Sequence, residues 1–214
     1  MDKTYIEYKE WLESEPVDSN IESSYRNAVE MLKQREKYEN DLITLNDEEA
    51  GLADEQKHVD KRLSIYSSYL DLEFKSDSNP SRIQNLYERR ITDLCLHPHV
   101  WTTYIDYIDS SLKIDSISLS VCERAARNVP NSASVWIKYL RNLERYNQPK
   151  ESLLTAVEKA LTRNMVEGIS KYRELWLTFI DYKRRDIIKV RYTFDNQIHI
   201  TTVYITGVYC SLFY

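Results

Sequence analysis

A spacing of 35 residues constrains this chain more than any other feature of its sequence. Trp101 and Trp136 are 35 residues apart, and a further step back reaches Tyr66. Each is followed three residues later by a tyrosine, Tyr69, Tyr104 and Tyr139. A second series keeps the same period: Glu88, Glu123 and Glu158 recur within Leu86-Tyr87-Glu88-Arg89, Val121-Cys122-Glu123-Arg124 and Ala156-Val157-Glu158-Lys159, each run beginning 20 residues after its aromatic. Self-similarity at such a period marks stacked repeats that cannot bury their apolar faces alone. One unit holds two helices of three to four turns and two short connections.

The first helix of each unit carries its large residues at i, i+3 and i+7, as in Trp101, Tyr104, Ile108 and in Trp136, Tyr139, Leu143. At about 100° per residue these positions form one stripe. The second helix has its own apolar face, with Cys122, Ala125, Ala126, Val129 in one unit and Val157, Ala160, Leu161 in the next. Breakers separate the helices at Asn79-Pro80-Ser81, His97-Pro98, Val129-Pro130-Asn131-Ser132 and Asn147-Gln148-Pro149. The expected fold is therefore all-α, an α-solenoid of antiparallel helix pairs.

Two copies depart from the period. At the N-terminus Tyr5, Tyr8 and Leu12 take first-helix positions and Tyr25 opens the second helix, but Tyr66 follows Tyr5 by 61 residues instead of 35. About 26 residues are thus inserted, in a charged and helical stretch from Lys33 to Asp60 with a break near Ala50-Gly51. Toward the C-terminus Trp176 and Phe179 begin another first helix, 40 residues after Trp136, with a loop lengthened around Val166-Glu167-Gly168. The expected organisation is a divergent unit with its insertion over 1–62, repeats over 63–186 with the last one incomplete, and a non-repeat tail over 187–214. The tail is rich in β-branched and aromatic residues, so it is expected to be irregular or strand-prone, and disordered or artefactual for want of a strand to pair with.

Composition narrows the functional classes. Residues 1–62 carry 17 acidic and 9 basic side chains and the remainder 17 and 20, so the repeats hold only a small positive excess. That falls short of the dense basic surface that grips nucleic acid. Three cysteines, Cys95, Cys122 and Cys210, form no CxxC pair and support neither a disulfide framework nor a zinc site. His97 and His99 flank Pro98 without a third ligand at useful spacing. With three glycines no phosphate-cradling loop assembles, and the common catalytic motifs do not occur. Neither a cofactor, a metal nor an enzymatic activity is expected, and residues 200–214 hold too few apolar positions for a membrane span. The charged N-terminus, Met1-Asp2-Lys3, argues against a secretory signal.

The aromatic stripe of Tyr66, Tyr69, Trp101, Tyr104, Trp136, Tyr139, Trp176 and Phe179 is expected to be repeat core rather than a base-stacking surface. Glu88, Glu123 and Glu158 are each followed by a cation, and are expected to accept hydrogen bonds from a tyrosine hydroxyl, an indole N–H or a helix-end amide. The cluster Lys183-Arg184-Arg185 suits the end of a helix. On these residues alone a TPR-like peptide-binding adaptor or co-chaperone, or a truncated product without function, stays open.

The W-x-x-Y pattern on the first helix, the run Glu123-Arg124-Ala125 on the second and the prolines between units resemble the HAT, or half-a-TPR, repeat. Ile65 to Arg185 is similar to the HAT region of U4/U6 snRNP recycling factors, through Ser81-Arg82-Ile83-Gln84, Tyr87-Glu88-Arg89, Leu119 to Pro130, Leu143 to Arg145 and Asp181 to Arg185. That resemblance implies a non-enzymatic protein-interaction scaffold in pre-mRNA splicing that serves U4/U6 snRNP assembly and recycling. It implies U4/U6 snRNP proteins and deubiquitinases as partners, and the nucleus, or else the cytoplasm, as location. The family's dimerising second block of repeats, its RNA-recognition motifs and its C-terminal peptide have no counterpart in these 214 residues. A monomer without strong nucleic-acid binding of its own is expected.

Overall fold

The computed structural model describes the backbone of residues 2–12, 18–47, 55–76 and 79–211. Among the described residues the regular elements are helices: α1 (Asp2–Trp11), α2 (Ser19–Asp47), α3 (Glu55–Lys75), α4 (Pro80–Asp93), α5 (Pro98–Tyr107), α6 (Asp115–Asn128), α7 (Ala133–Arg145), α8 (Lys150–Leu161) and α9 (Gly168–Ser211). The aromatic series falls on α3, α5, α7 and α9, and the glutamate series on α4, α6 and α8. This is the all-α fold of paired helices that the period demands. The chain forms two compact units, Met1–Arg89 and Arg90–Tyr214.

In the first unit α2 packs on α3. The inserted residues lengthen the second helix of the N-terminal copy: α2 runs unbroken for 29 residues, past Lys33 to Asp47. The break expected near Ala50-Gly51 lies outside the described residues. Tyr5 and Tyr25, 20 residues apart, stack with ring centroids at 3.7 Å. Between α2 and α3 the guanidinium of Arg35 donates to both carboxylate oxygens of Glu73, at 2.6 and 3.0 Å, and Glu73 is fully buried.

In the second unit α7 is the central helix and touches α5, α6, α8 and α9. The turns entering α5 and α7 have the same geometry, because His97 and Ser132 share φ −97° and ψ 112°. Pro98 starts α5, whereas the Ser132 side chain caps α7 by accepting from Val135 N. Each turn also fixes the tryptophan that follows. Trp101 Nε1 donates to Cys95 O at 2.7 Å and Trp136 Nε1 to Pro130 O at 2.8 Å, six residues upstream in both cases. A buried indole requires such an acceptor, so the repeating tryptophan and the repeating turn form one structural device.

The lengthened loop before α9 reaches back to the N-terminus of α7. Glu167 accepts from Ser134 N and Ser134 Oγ, both at 2.8 Å, and from Ser132 Oγ, while Val166 N donates to Asn131 O at 3.1 Å. A carboxylate there satisfies orphan amides and meets the positive end of the helix dipole. A π turn, Ile108–Leu112, continues α5 and ends on Lys113 in the left-handed region at φ 54°. It carries Asp109 to Ser118 Oγ at 2.8 Å and to Arg145 at 2.8 Å, and buried Asn142 donates to Ser118 Oγ at 2.8 Å.

Three expectations are corrected at α9. The residues from 187 onward are neither strand nor irregular through Ser211, because α9 continues unbroken from Gly168. Extending a nucleated helix adds one hydrogen bond per residue fixed, whereas β propensity is realised only beside a pairing edge. Trp176 is not core: it is 39% exposed, and Phe179 is half-buried, while Leu175 and Thr178 turn inward. Among the described residues no turn after Phe179 folds a second helix back onto that face. The cluster Lys183-Arg184-Arg185 therefore lies within a helix rather than at its end. Arg185 donates to both oxygens of Glu144 at 2.7 Å and Arg184 pairs with Asp181.

Candidate functional site

The described residues of each unit contain a groove, and the two grooves occupy the same place in the repeat. The larger, about 730 Å³, lies among α6, α7 and α8. The smaller, about 480 Å³, lies among α2, α3 and α4. Its lining residues Tyr69, Ser81, Arg82, Asn85, Leu86 and Arg89, moved on by two periods, become Tyr139, Glu151, Ser152, Thr155, Ala156 and Lys159, and all of these line the larger groove. A repeating sequence thus generates a repeating concavity, in which the first-helix tyrosine faces the second helix of its own unit and a glutamate of the preceding helix.

That tyrosine and glutamate meet in both grooves. Tyr69 Oη donates to Glu39 Oε1 at 3.0 Å, and Tyr139 Oη donates to Glu123 Oε1 at 3.4 Å. Burial, followed by the hydrogen bond to Glu39, pushes the Tyr69 phenol up to about 12. Burial and the neighbouring Glu123 charge push Tyr139 to about 12 as well. Neither phenol ionises near neutrality, so each stays a hydrogen-bond donor. Glu158 is exposed, and the tyrosine position of the following helix is Phe179, which has no hydroxyl to donate.

The remaining signature residues divide between core and groove. Tyr66, Trp101, Tyr104 and Trp136 are buried, and Trp136 shows one edge to the larger groove. The Arg124 guanidinium lies over the Trp101 ring, 5.6 Å from its centroid. Glu88 is half-buried on α4 and Glu123 is exposed on α6. Cys122 is buried, and desolvation pushes its thiol up to about 12, which leaves it an inert packing residue beside Asn142. Among the described residues no group of His, Cys, Asp and Glu is placed to hold a metal ion, and no helix is long and apolar enough to cross a membrane.

The period could not reveal Glu39. It precedes Tyr69 by 30 residues, whereas Glu123 precedes Tyr139 by 16, because the insertion lengthens α2. Arg89 Nη1 and Nη2 donate to the two oxygens of Glu39 at 2.7 and 2.8 Å. Hydrogen bonding from Arg89, opposed by burial and aided by Tyr69, holds the Glu39 carboxyl below its ordinary value. A carboxyl depressed in the folded state contributes stability that is present above the unfolded value, about 4.3. That stability is lost as pH falls through the lower folded value. Replacing Glu39 with Gln is expected to flatten this part of the acid-unfolding curve while changing neutral stability by about 1 kcal/mol or less, since both partners are partly exposed. Urea midpoints measured from pH 6 downward, about one unit apart, check it; parallel curves for the two proteins would contradict the assignment.

A family model described as PRP39 C-terminal HAT repeat matches residues 55–185. Over 187 residues the chain is 34% identical to the mouse protein named Spliceosome associated factor 3, U4/U6 recycling protein, 33% identical to the human protein of that name and 34% identical to that of Danio rerio. Each alignment covers 87% of this chain and 18% of the relative. The chain therefore spans less than a fifth of the length of those proteins.

Proposed function

We propose, from the premise that the chain belongs to the HAT-repeat family, that it is a non-enzymatic protein-interaction scaffold of the pre-mRNA splicing machinery, acting in U4/U6 snRNP assembly and recycling. The observation that carries this reading is the alignment of 87% of the chain with proteins whose name states U4/U6 recycling. The repeat architecture supports it physically, because stacked helix pairs expose extended grooves while their aromatic and aliphatic residues are committed to packing. In both grooves the tyrosine and its glutamate, Tyr69 with Glu39 and Tyr139 with Glu123, are engaged in structural hydrogen bonds, which favours binding over catalysis. The partners of this reading are proteins of the U4/U6 snRNP and deubiquitinases that accompany it, and the place of action is the nucleus. The chain acts as a monomer and leaves RNA contact to its partners.

Immobilised full-length chain in nuclear extract is expected to retain snRNP proteins and U6-containing particles above beads alone, and to do so after ribonuclease treatment for its direct protein partners. Recovery of neither would overturn the proposal. Recovery of chaperones alone would support the co-chaperone reading instead.

A further inference from the structure

The two equivalent grooves differ in how their charges are satisfied. In the first unit Arg89 closes on Glu39 with both arms of its guanidinium, so that groove is neutralised from within. Lys159 holds the same repeat position in the second unit, yet it makes no ion pair among the described residues, and neither do Arg127 and Arg163. All three line the larger groove at one end, where α6 and α8 finish: Arg127 and Lys159 stand in the last turns and Arg163 follows the C-cap Thr162. Last-turn cations offset the helix dipole, but that role does not require them to converge, and Arg163 lies beyond the helix.

The floor between them and the opposite end is mainly apolar, made by Trp136, Tyr139, Leu143, Ala126 and Ala156. Two carboxylates interrupt it. Glu123 accepts from Tyr139, and Glu151 stands at the far end, in the first turn of α8. The concavity thus pairs an apolar floor with a cationic end, within the size range of sites that enclose a few side chains.

We propose that this groove docks an acidic peptide segment of a protein partner, with an apolar side chain on the floor at Tyr139, Leu143 and Ala156 and carboxylates against Arg127, Lys159 and Arg163. This rests on the scaffold reading and specifies the chemistry of its partner. Carboxylates answer three cations that lack internal partners, and the charge-assisted bonds they form are stronger than neutral ones. A nucleic-acid strand is disfavoured, since Glu123 and Glu151 would face its phosphates along the same groove.

The test uses the full chain and a fluorescein-labelled peptide in which a Leu-Phe pair precedes a run of glutamates, read by fluorescence anisotropy. Binding is expected for this peptide and not for its counterpart with lysines in place of glutamates. Changing Arg127, Lys159 and Arg163 together to Glu is expected to weaken it by about tenfold or more, with the helical circular-dichroism signal retained. The same charge change at Lys113, away from the groove, is expected to leave the affinity within about twofold. The proposal is overturned by equal binding of the lysine peptide, by an unchanged affinity in the triple variant, or by oligouridylate displacing the glutamate peptide. Nuclear-extract recovery separates the two readings. Snrnp components retained by a wild-type chain that does not bind the peptide overturn the groove alone, whereas their absence from the wild-type eluate overturns the scaffold.

Discussion

Replacing Trp136 with alanine is expected to destabilise the second unit by about 3–5 kcal/mol, whereas the same replacement at Trp176 is expected to cost about 1 kcal/mol or less. The two tryptophans hold the same position in the first helices of successive units. Their surroundings differ. Trp136 is 4% exposed on the helix that touches four neighbours, and its truncation removes packing in the centre of the stack while leaving Pro130 O without its donor. Trp176 is 39% exposed on α9, where among the described residues no later helix packs against it. Urea unfolding followed by far-UV circular dichroism compares the two. Equal midpoints would mean that α7 is not the keystone of the second unit. Trp136→Phe separates the contributions, since it keeps most of the aromatic volume and loses the N–H, and is expected to fall between wild type and alanine.

The contrast between these residues marks how far the period carried. It located every described first and second helix, because recurring side chains are those that each unit needs in order to bury a face against its neighbour. It also located the tyrosine of each groove. It did not find the partners that belong to one unit only. Asn142, buried among Ser118, Cys122 and Asp109, has Tyr107 one period earlier, so nothing in the repeat announces a polar position there. Glu167 looks like a loop residue and acts as the cap of a helix 33 residues upstream. The tail departs from its strand propensity for a different reason: β-branched residues one by one favour strand, but the helix already running into them from Gly168 extends at one hydrogen bond per residue.

Arg89 and Lys159 show the same limit at the candidate site. By charge they are the same residue of the repeat, and only the structure shows that one is closed on a carboxylate while the other stands open. The planar fork of arginine grips a carboxylate with two parallel bonds, and lysine is a point charge on a flexible stem. Repeating architecture therefore supplies equivalent concavities, and single departures within them decide which is free to bind.

The second large effect is expected at Arg35 and Glu73, a pair that the period conceals because Arg35 lies on the lengthened α2. Glu73 is fully buried and Arg35 is half-buried, and the bidentate contact joins α2 to α3. The contact, chiefly its hydrogen bond to Glu73 against the opposing effect of burial, raises the Arg35 pKa above its ordinary value, so the guanidinium stays charged at every accessible pH. Arg35→Ala leaves a buried carboxylate without that partner, and is expected to cost about 3–5 kcal/mol. The pair itself adds far less, because its mutual attraction is set against the desolvation of both charges. Replacing both together, Arg35→Met with Glu73→Leu, is therefore expected to be near neutral or to stabilise the first unit. A double-mutant cycle in urea of Arg35→Met, Glu73→Leu and the two combined decides: a double variant at least as unstable as Arg35→Met alone would show that the loss does not come from leaving the Glu73 carboxylate without its Arg35 partner.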